Sequence, residues 1–287
     1  MIYETITTIM AKNQYKEKTF VAISAAKDIL ETTCQLFLII ENKISPHGCS
    51  VLVEHNSRYY CLSNSHVLNR IKFPEIFFLG RDFKTVEING DLFFSEPINN
   101  EKNAKDAYDV AIMELPLQLA NKLIFNGYKF LSLKKAEQSI SLLRENKTMI
   151  AAFPANKTKF NFKEKKLKFN PLIVRTIPRV KDYSNHGFPS KFHHVVEYPR
   201  KSFRETSTGK KIIASKPYGM SGSGLWILVG ESAVDYKPYL IGILTEYDEN
   251  KSLIFSTKID LYISVMEQVF DNTIQTLDIQ VNLTVVK

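Results

Sequence analysis

From Cys34 onward the chain is a succession of short runs rich in β-branched and aromatic residues, each cut off by turn formers. CQLFLIIE, CSVLVEH, RYYCLS, EIFFLG, TVEI and DLFF come first, punctuated by SPHG, HNSR and NG, and the apolar run YDVAIMELP closes at Pro116. Such runs read as strands, because branched and aromatic side chains pack well on a pleated surface and the intervening residues favour turns. A second set follows: TMIAAFP, KLKF, LIVRTIP, HHVVEY, KKIIAS, GLWILVG, YLIGILTEY and SLIFSTKI. Two clusters of short strands with few helices predict an all-β fold of two antiparallel β-barrels side by side. A site between two barrels would draw residues from both.

The expected boundaries follow from these clusters. Residues 1–31 form an N-terminal helical segment, with Ile6, Ile9, Phe20, Ile23 and Ile29 on a polar background free of Pro and Gly. Residues 32–118 make the first β-barrel, and 119–146 an inter-barrel connector of helical character (LQLANKLI, KKAEQSISLLREN). Residues 147–259 make the second β-barrel, and 260–287 a C-terminal helix and tail. In that tail DLYISVMEQVF has helical apolar spacing, and IQTLDIQVNLTVV alternates as a strand does. Trp226 is expected to anchor a barrel core with its N–H near a partner. His193 and His194 should face opposite sides of a strand, one at the surface and one in the core, rather than bind metal. His47, His55 and His186 stand beside turn residues and carry no functional signal.

The net charge is +8, and six lysines against one glutamate fall between Asn156 and Lys168. That run could meet nucleic acid, but no zinc-finger, aromatic RNA-binding or helix-turn-helix signature accompanies it, so a solvated hairpin is the expected form. No apolar block reaches the length of a bilayer span or a secretory signal, so no membrane association is expected. Cys34, Cys49 and Cys61 leave an odd thiol and no metal spacing, which favours a reducing, cytoplasmic setting.

One stretch asks for a chemical explanation. PYGMSGSGLW (217–226) crowds three glycines and two serines ahead of an apolar run. A serine hydroxyl attacks only when a base takes its proton, and the oxyanion that forms needs backbone N–H groups aimed at it. In GMS, Ser221 would supply the hydroxyl, and the amides of Gly219 and Ser221 the oxyanion hole. Gly219 fits a turn conformation costly for a residue with a Cβ. Ser223 as nucleophile would shift the glycine out of that amide position. For the base, His66 stands at the end of an apolar strand in YYCLSNSHVLNR. For the orienting acid, Asp109 opens the apolar run DVAIM, where a carboxylate needs a partner; an imidazole N–H would serve and would fix the tautomer. Asp106 is the alternative, but it precedes Ala-Tyr rather than an apolar strand, so Asp109 is preferred.

CLSNSHVL, YDVAIMEL and GMSGSG, in that order, resemble the histidine, aspartate and nucleophile motifs of chymotrypsin-like (trypsin-fold) serine proteases. GCSVLVE, IAAFPANK and LIGILTEY are weaker echoes, and the resemblance spans roughly residues 33–270. It implies a double barrel, a His66–Asp109–Ser221 triad acting through an acyl-enzyme on a protein or peptide substrate, and no cofactor or metal. Two departures point toward bacterial HtrA-type or glutamyl-endopeptidase-type members rather than secreted digestive ones. Met220 stands where the latter carry an aspartate that captures a new N-terminus, and Val67 where they place a disulfide cysteine. Such relatives occur in bacterial stress response and antiviral defence, which implies a dedicated target and a regulatory protein partner. The resemblance also puts Ser215 at the base of the substrate pocket, with Leu244, Thr245 and Glu246 on one wall and Ile254 to Ser256 on another. Ser215 in that place predicts a pocket for small or apolar side chains, and an inward Glu246 would favour a basic group. The alternative is a catalytically silent binding module on the same fold.

Overall fold

The computed structural model describes residues 7–10, 25–40, 43–68, 76–79, 85–97, 106–133, 148–161, 166–168, 170–205, 210–229, 237–270 and 282–286. Two large, mainly antiparallel sheets account for most of them, so the fold is the all-β, paired-barrel class that the strand clusters predict. The first sheet runs, edge to edge, Asn282–Val286, Asp91–Glu96, Ala111–Leu115, Arg58–Ser63, Lys43–His55, Thr33–Ile40, Ile76–Leu79, Thr85–Glu87. A short strand, Leu131–Ser132, adds in parallel to Lys43–His55.

The second sheet begins Pro178–Arg179, His193–Glu197, Leu253–Lys258, Lys237–Asp248, Gly224–Val229. It continues Thr148–Ala152, Leu172–Thr176, Thr7–Met10, Phe203–Glu205, Lys211–Ile212. The lysine-rich segment forms a separate hairpin of Lys159–Asn161 with Lys166–Lys168, as expected.

Side chains alternate across a strand, so the destination of alternate residues explains why these strands are apolar on both faces. In Lys43–His55, Leu52 joins a core of the first sheet with Leu36, Cys61 and Met113, while Val51 and Val53 turn the other way. In Gly224–Val229, Leu225 and Ile227 join a core of the second sheet, while Trp226 and Leu228 turn away from it. The residues that turn away meet in a third cluster drawn from both sheets. The helix Ile259–Phe270 adds Tyr262, Val265 and Met266 to it, and the helical residues 25–32 add Ala25, Ala26 and Ile29. Each sheet therefore has its own core, and the two are joined by a shared one.

Several expectations change. Helix covers residues 25–32, but Thr7–Met10 is a strand, parallel to Leu172–Thr176 and antiparallel to Phe203–Glu205. Three of its four residues are β-branched, and the sheet supplies partners that a local reading cannot see. The C-terminal strand Asn282–Val286 pairs with Asp91–Glu96, so the tail belongs to the first sheet rather than standing apart. The connector holds the helix Leu117–Phe125, and KKAEQSISLLREN falls outside the described residues. Trp226 is a core anchor, but its indole N–H is buried with no partner among the described residues.

His193 is buried as expected, its ring edge-on to Phe188 and its Nδ1 3.2 Å from the Pro189 carbonyl oxygen. His194 is half-buried rather than a surface residue. Burial pushes the two imidazoles down from about 6.5, to about 4 for His193 and about 3 for His194. Both are neutral in the native state and bind protons more readily when unfolded. Their contribution to stability is therefore complete above pH 6.5 and is lost as pH falls toward 4. For His193 alone the loss is up to about 3 kcal/mol. Urea unfolding between pH 7 and pH 4 is expected to show this decline, and His193→Phe should make it shallower, leaving the part due to His194. An unchanged slope in that variant would reject the assignment.

Candidate active site

The strand Arg58–Ser63 delivers its last residues into a helical turn, Ser65–Leu68, which carries His66. The small polar residues before the histidine are each fixed. Ser63 Oγ donates to the Cys49 carbonyl at 2.7 Å, and the Ser63 carbonyl accepts from Tyr262 Oη at 2.8 Å. Ser65 Oγ donates to the Ser95 carbonyl at 2.8 Å. The Asn64 carbonyl accepts the amides of Val67 and Leu68, starting the turn, while Asn64 Nδ2 donates to the Asp109 carbonyl at 3.2 Å. His66 thus sits on a rigid base with 42% of its side chain exposed.

Asp109 meets His66 at two points. Its Oδ1 accepts the His66 backbone N–H at 3.0 Å, and its Oδ2 lies 2.7 Å from Nδ1. With the proton on Nδ1, the imidazole presents Nε2 as an acceptor. Burial pushes the Asp109 carboxyl above its ordinary value, and the hydrogen bonds from His66 oppose that shift. Asp109 adopts φ +52°, a left-handed conformation uncommon for a non-glycine residue. Its neighbours enforce it. Asp106 accepts from Ser95 Oγ and from the Tyr108 amide, and Ser95 Oγ accepts the Val110 amide at 2.8 Å. From the second sheet, Thr257 Oγ1 donates to the Tyr108 carbonyl at 2.7 Å. Asp106 therefore braces the loop, and Asp109 is the acid on the histidine.

The Ser221 loop is two successive turns. The Met220 amide donates to the Pro217 carbonyl at 2.9 Å, and the Ser223 amide to the Met220 carbonyl at 3.0 Å. Gly219 (φ +80°) and Gly222 (φ +87°) occupy the third position of each, where type II turns require positive φ. A Cβ on Gly219 would lie 2.8 Å from the Ala155 Cβ, and one on Gly222 1.9 Å from the Cys49 carbonyl oxygen. The loop's hydrogen bonds use the amides of Met220, Gly222 and Ser223. The amides of Gly219 and Ser221, expected to form an oxyanion hole, donate to no backbone carbonyl among the described residues.

This loop from the second sheet docks on the strands that carry His66. The Cys49 amide donates to the Ser221 carbonyl at 2.8 Å. A Cβ on Gly48 would meet Val67 Cγ1 at 2.8 Å and the Ser221 carbonyl oxygen at 3.3 Å, so the Ser221 turn and the residue after His66 converge on one glycine. Ser221 Oγ itself donates to the Thr245 carbonyl at 3.4 Å, and no hydrogen bond joins it to His66 among the described residues.

Of the expected pocket residues, Ser215 is buried, its carbonyl accepting from Tyr198 Oη at 2.9 Å and its hydroxyl lacking a partner among the described residues. Thr245 falls at a break in register between Leu244 and Glu246, and its buried Oγ1 donates to the Phe255 carbonyl at 3.2 Å. Glu246, on the far side of that break, is exposed. No sequence signal marked Gly48, Tyr262 or Thr257, whose roles depend on distant partners. Gly222 had a local signal, its place in the GSG run.

No protein-family model matches the chain. No curated protein matches it. Among solved structures, one similar chain is a scabies mite inactivated protease paralogue, S-I1. It is 12% identical, with 86% of this chain and 96% of that one covered and a TM-score of 0.47.

Proposed function

We propose that the chain is a serine endopeptidase of the chymotrypsin-like kind. Ser221 attacks the scissile carbonyl, and His66 Nε2 takes its proton and passes it to the leaving amine. Asp109 stabilises the imidazolium, the Gly219 and Ser221 amides bind the oxyanion, and water then hydrolyses the acyl-enzyme. The observation that carries this reading is the convergence on Gly48 of the Ser221 loop and the turn whose histidine is held by Asp109. The reading requires Ser221 Oγ to leave the Thr245 carbonyl for His66 when substrate binds.

The chain's finer placement follows from Met220 and Val67, nearer HtrA-type or glutamyl-endopeptidase-type members, with a dedicated target in a bacterial stress or defence pathway. Three free, buried thiols support a reducing, cytoplasmic compartment, burial holding Cys49 up at about 11 and Cys61 at about 12. A second reading, the silent binding module, is favoured by one observation, the Ser221 hydroxyl resting on Thr245 instead of His66. A fluorophosphonate probe separates the two. Labelling of the native chain that disappears in Ser221→Ala is the expected result. Equal labelling of both, or of neither, would favour the silent module.

A further inference from the structure

The second sheet ends, among the described residues, at the short strand Lys211–Ile212, whose outer edge is unpaired. An unpaired edge is a template for another extended chain, because its N–H and C=O groups point outward in register. This edge continues directly into the run 213–218 that leads to the nucleophile turn. The Ala214 amide donates to the Arg200 carbonyl at 2.9 Å, and Arg200 Nε donates to the Ala214 carbonyl at 3.1 Å. The edge is thus held rigidly against the segment before it.

Its chemistry is one-sided. Arg200, Lys201, Arg204, Lys210, Lys211 and Lys216 all fall in the two segments, 200–204 and 210–216, that make or flank this edge. Arg200 and Lys216 are turned onto Glu249, at 3.4 and 3.1 Å. Lys201 and Lys211 are exposed. Arg204 lies directly opposite Lys211 in the ladder, so two basic side chains share one face of the strand pair. The alternation then sets the pattern a ligand must match. Ile212 points to the core of its sheet, so Lys211 and Ile213 lie on the other face, and Ile213 is 71% exposed. Farther along the same run Tyr218 is 75% exposed.

We propose that this edge binds an extended acidic segment of a protein by strand addition, with an acidic side chain facing Lys211 and an apolar one, two residues away, facing Ile213. Backbone pairing supplies the register and the cations supply the selectivity. The presence of an open strand edge and exposed apolar side chains favours a peptide over a nucleic acid. Resting on the endopeptidase reading, the occupant is part of the substrate outside the scissile bond, and the edge is the surface by which a dedicated target is chosen. Lysines also guard edge strands against pairing with one another; that role alone predicts no selective ligand.

The test uses the full chain carrying Ser221→Ala, so that binding is read without turnover. The probe is a fluorescent peptide repeating glutamate and valine two positions apart, followed by anisotropy at low and high salt. Saturable binding is expected, weakened by salt and at least about tenfold stronger than that of the same peptide with lysine for glutamate. Lys211→Glu should weaken binding at least about tenfold while leaving the melting temperature nearly unchanged, since Lys211 is exposed. A peptide with proline at alternate positions should bind far less, because it lacks the N–H groups of a strand. Equal binding of acidic and basic peptides, indifference to Lys211→Glu, or tighter binding of a single-stranded oligonucleotide would overturn the proposal. Fluorophosphonate labelling of the native chain reports on the hydrolytic reading alone, so the two fail separately.

Discussion

Ser221→Ala is expected to reduce the turnover of a cleaved peptide by about 10⁴-fold or more while leaving the protein folded. The magnitude follows from the role proposed for the alcohol: without it no acyl-enzyme would form, and only the oxyanion site and substrate positioning would remain. The fold is indifferent because Ser221 is half-buried and its Oγ makes one hydrogen bond among the described residues, at 3.4 Å to the Thr245 carbonyl. A stability change within about 0.5 kcal/mol is expected. The check is a peptide-hydrolysis assay beside thermal unfolding of both proteins. Retained hydrolysis with an unchanged melting temperature would remove Ser221 from the mechanism and return attention to the silent-module reading.

The second large effect is structural and also reaches the chemistry. Gly222→Ala would put a methyl group 1.9 Å from the Cys49 carbonyl oxygen and 2.4 Å from Ser63 Oγ, at φ +87°. Neither neighbour can give way, because one is backbone and the other is committed to that same carbonyl. The loop must therefore swing off the first sheet. Left-handed backbone and overpacking together cost about 2–4 kcal/mol. A displacement of about 1 Å at the nucleophile costs about 100-fold in turnover on its own. Gly187→Ala is the control, since φ there is +81° but nothing lies within 4 Å of the added atom. It should cost only the backbone part, about 1 kcal/mol, and leave hydrolysis intact. If both substitutions behave alike, the docking of the Ser221 loop on Cys49 is not what positions the nucleophile.

The two glycine positions also separate what could be read locally from what could not. A type II turn needs positive φ at its third residue, and that requirement is written into the sequence wherever glycine follows a turn-favouring pair. Gly219 could be identified that way. The crowding at Gly222 comes from Cys49, a residue far away in the chain, and no local pattern announces it. The acid on the histidine is a similar case. Preferring Asp109 to Asp106 rested on the apolar run that follows it, and the two-point contact with His66 agrees with that preference. The work of Asp106, bracing Ser95 and Tyr108, was invisible because Ser95 belongs to another strand.

The strand pattern by itself determined that the chain is all-β, that it falls into two clusters, and which serine, histidine and acids could take part in one chemistry. Those are consequences of side-chain shape and of alternation, which act over a few neighbouring residues. Only the tertiary structure decided that Thr7–Met10 enters the second sheet, that Asn282–Val286 completes the first, and that Ser221 rests on Thr245 while its loop sits on Gly48 and Cys49. The physical reason is that strand pairing and close packing are contracts between distant segments. Their partners are fixed by the shape of the assembled sheets and not by the residues on either side.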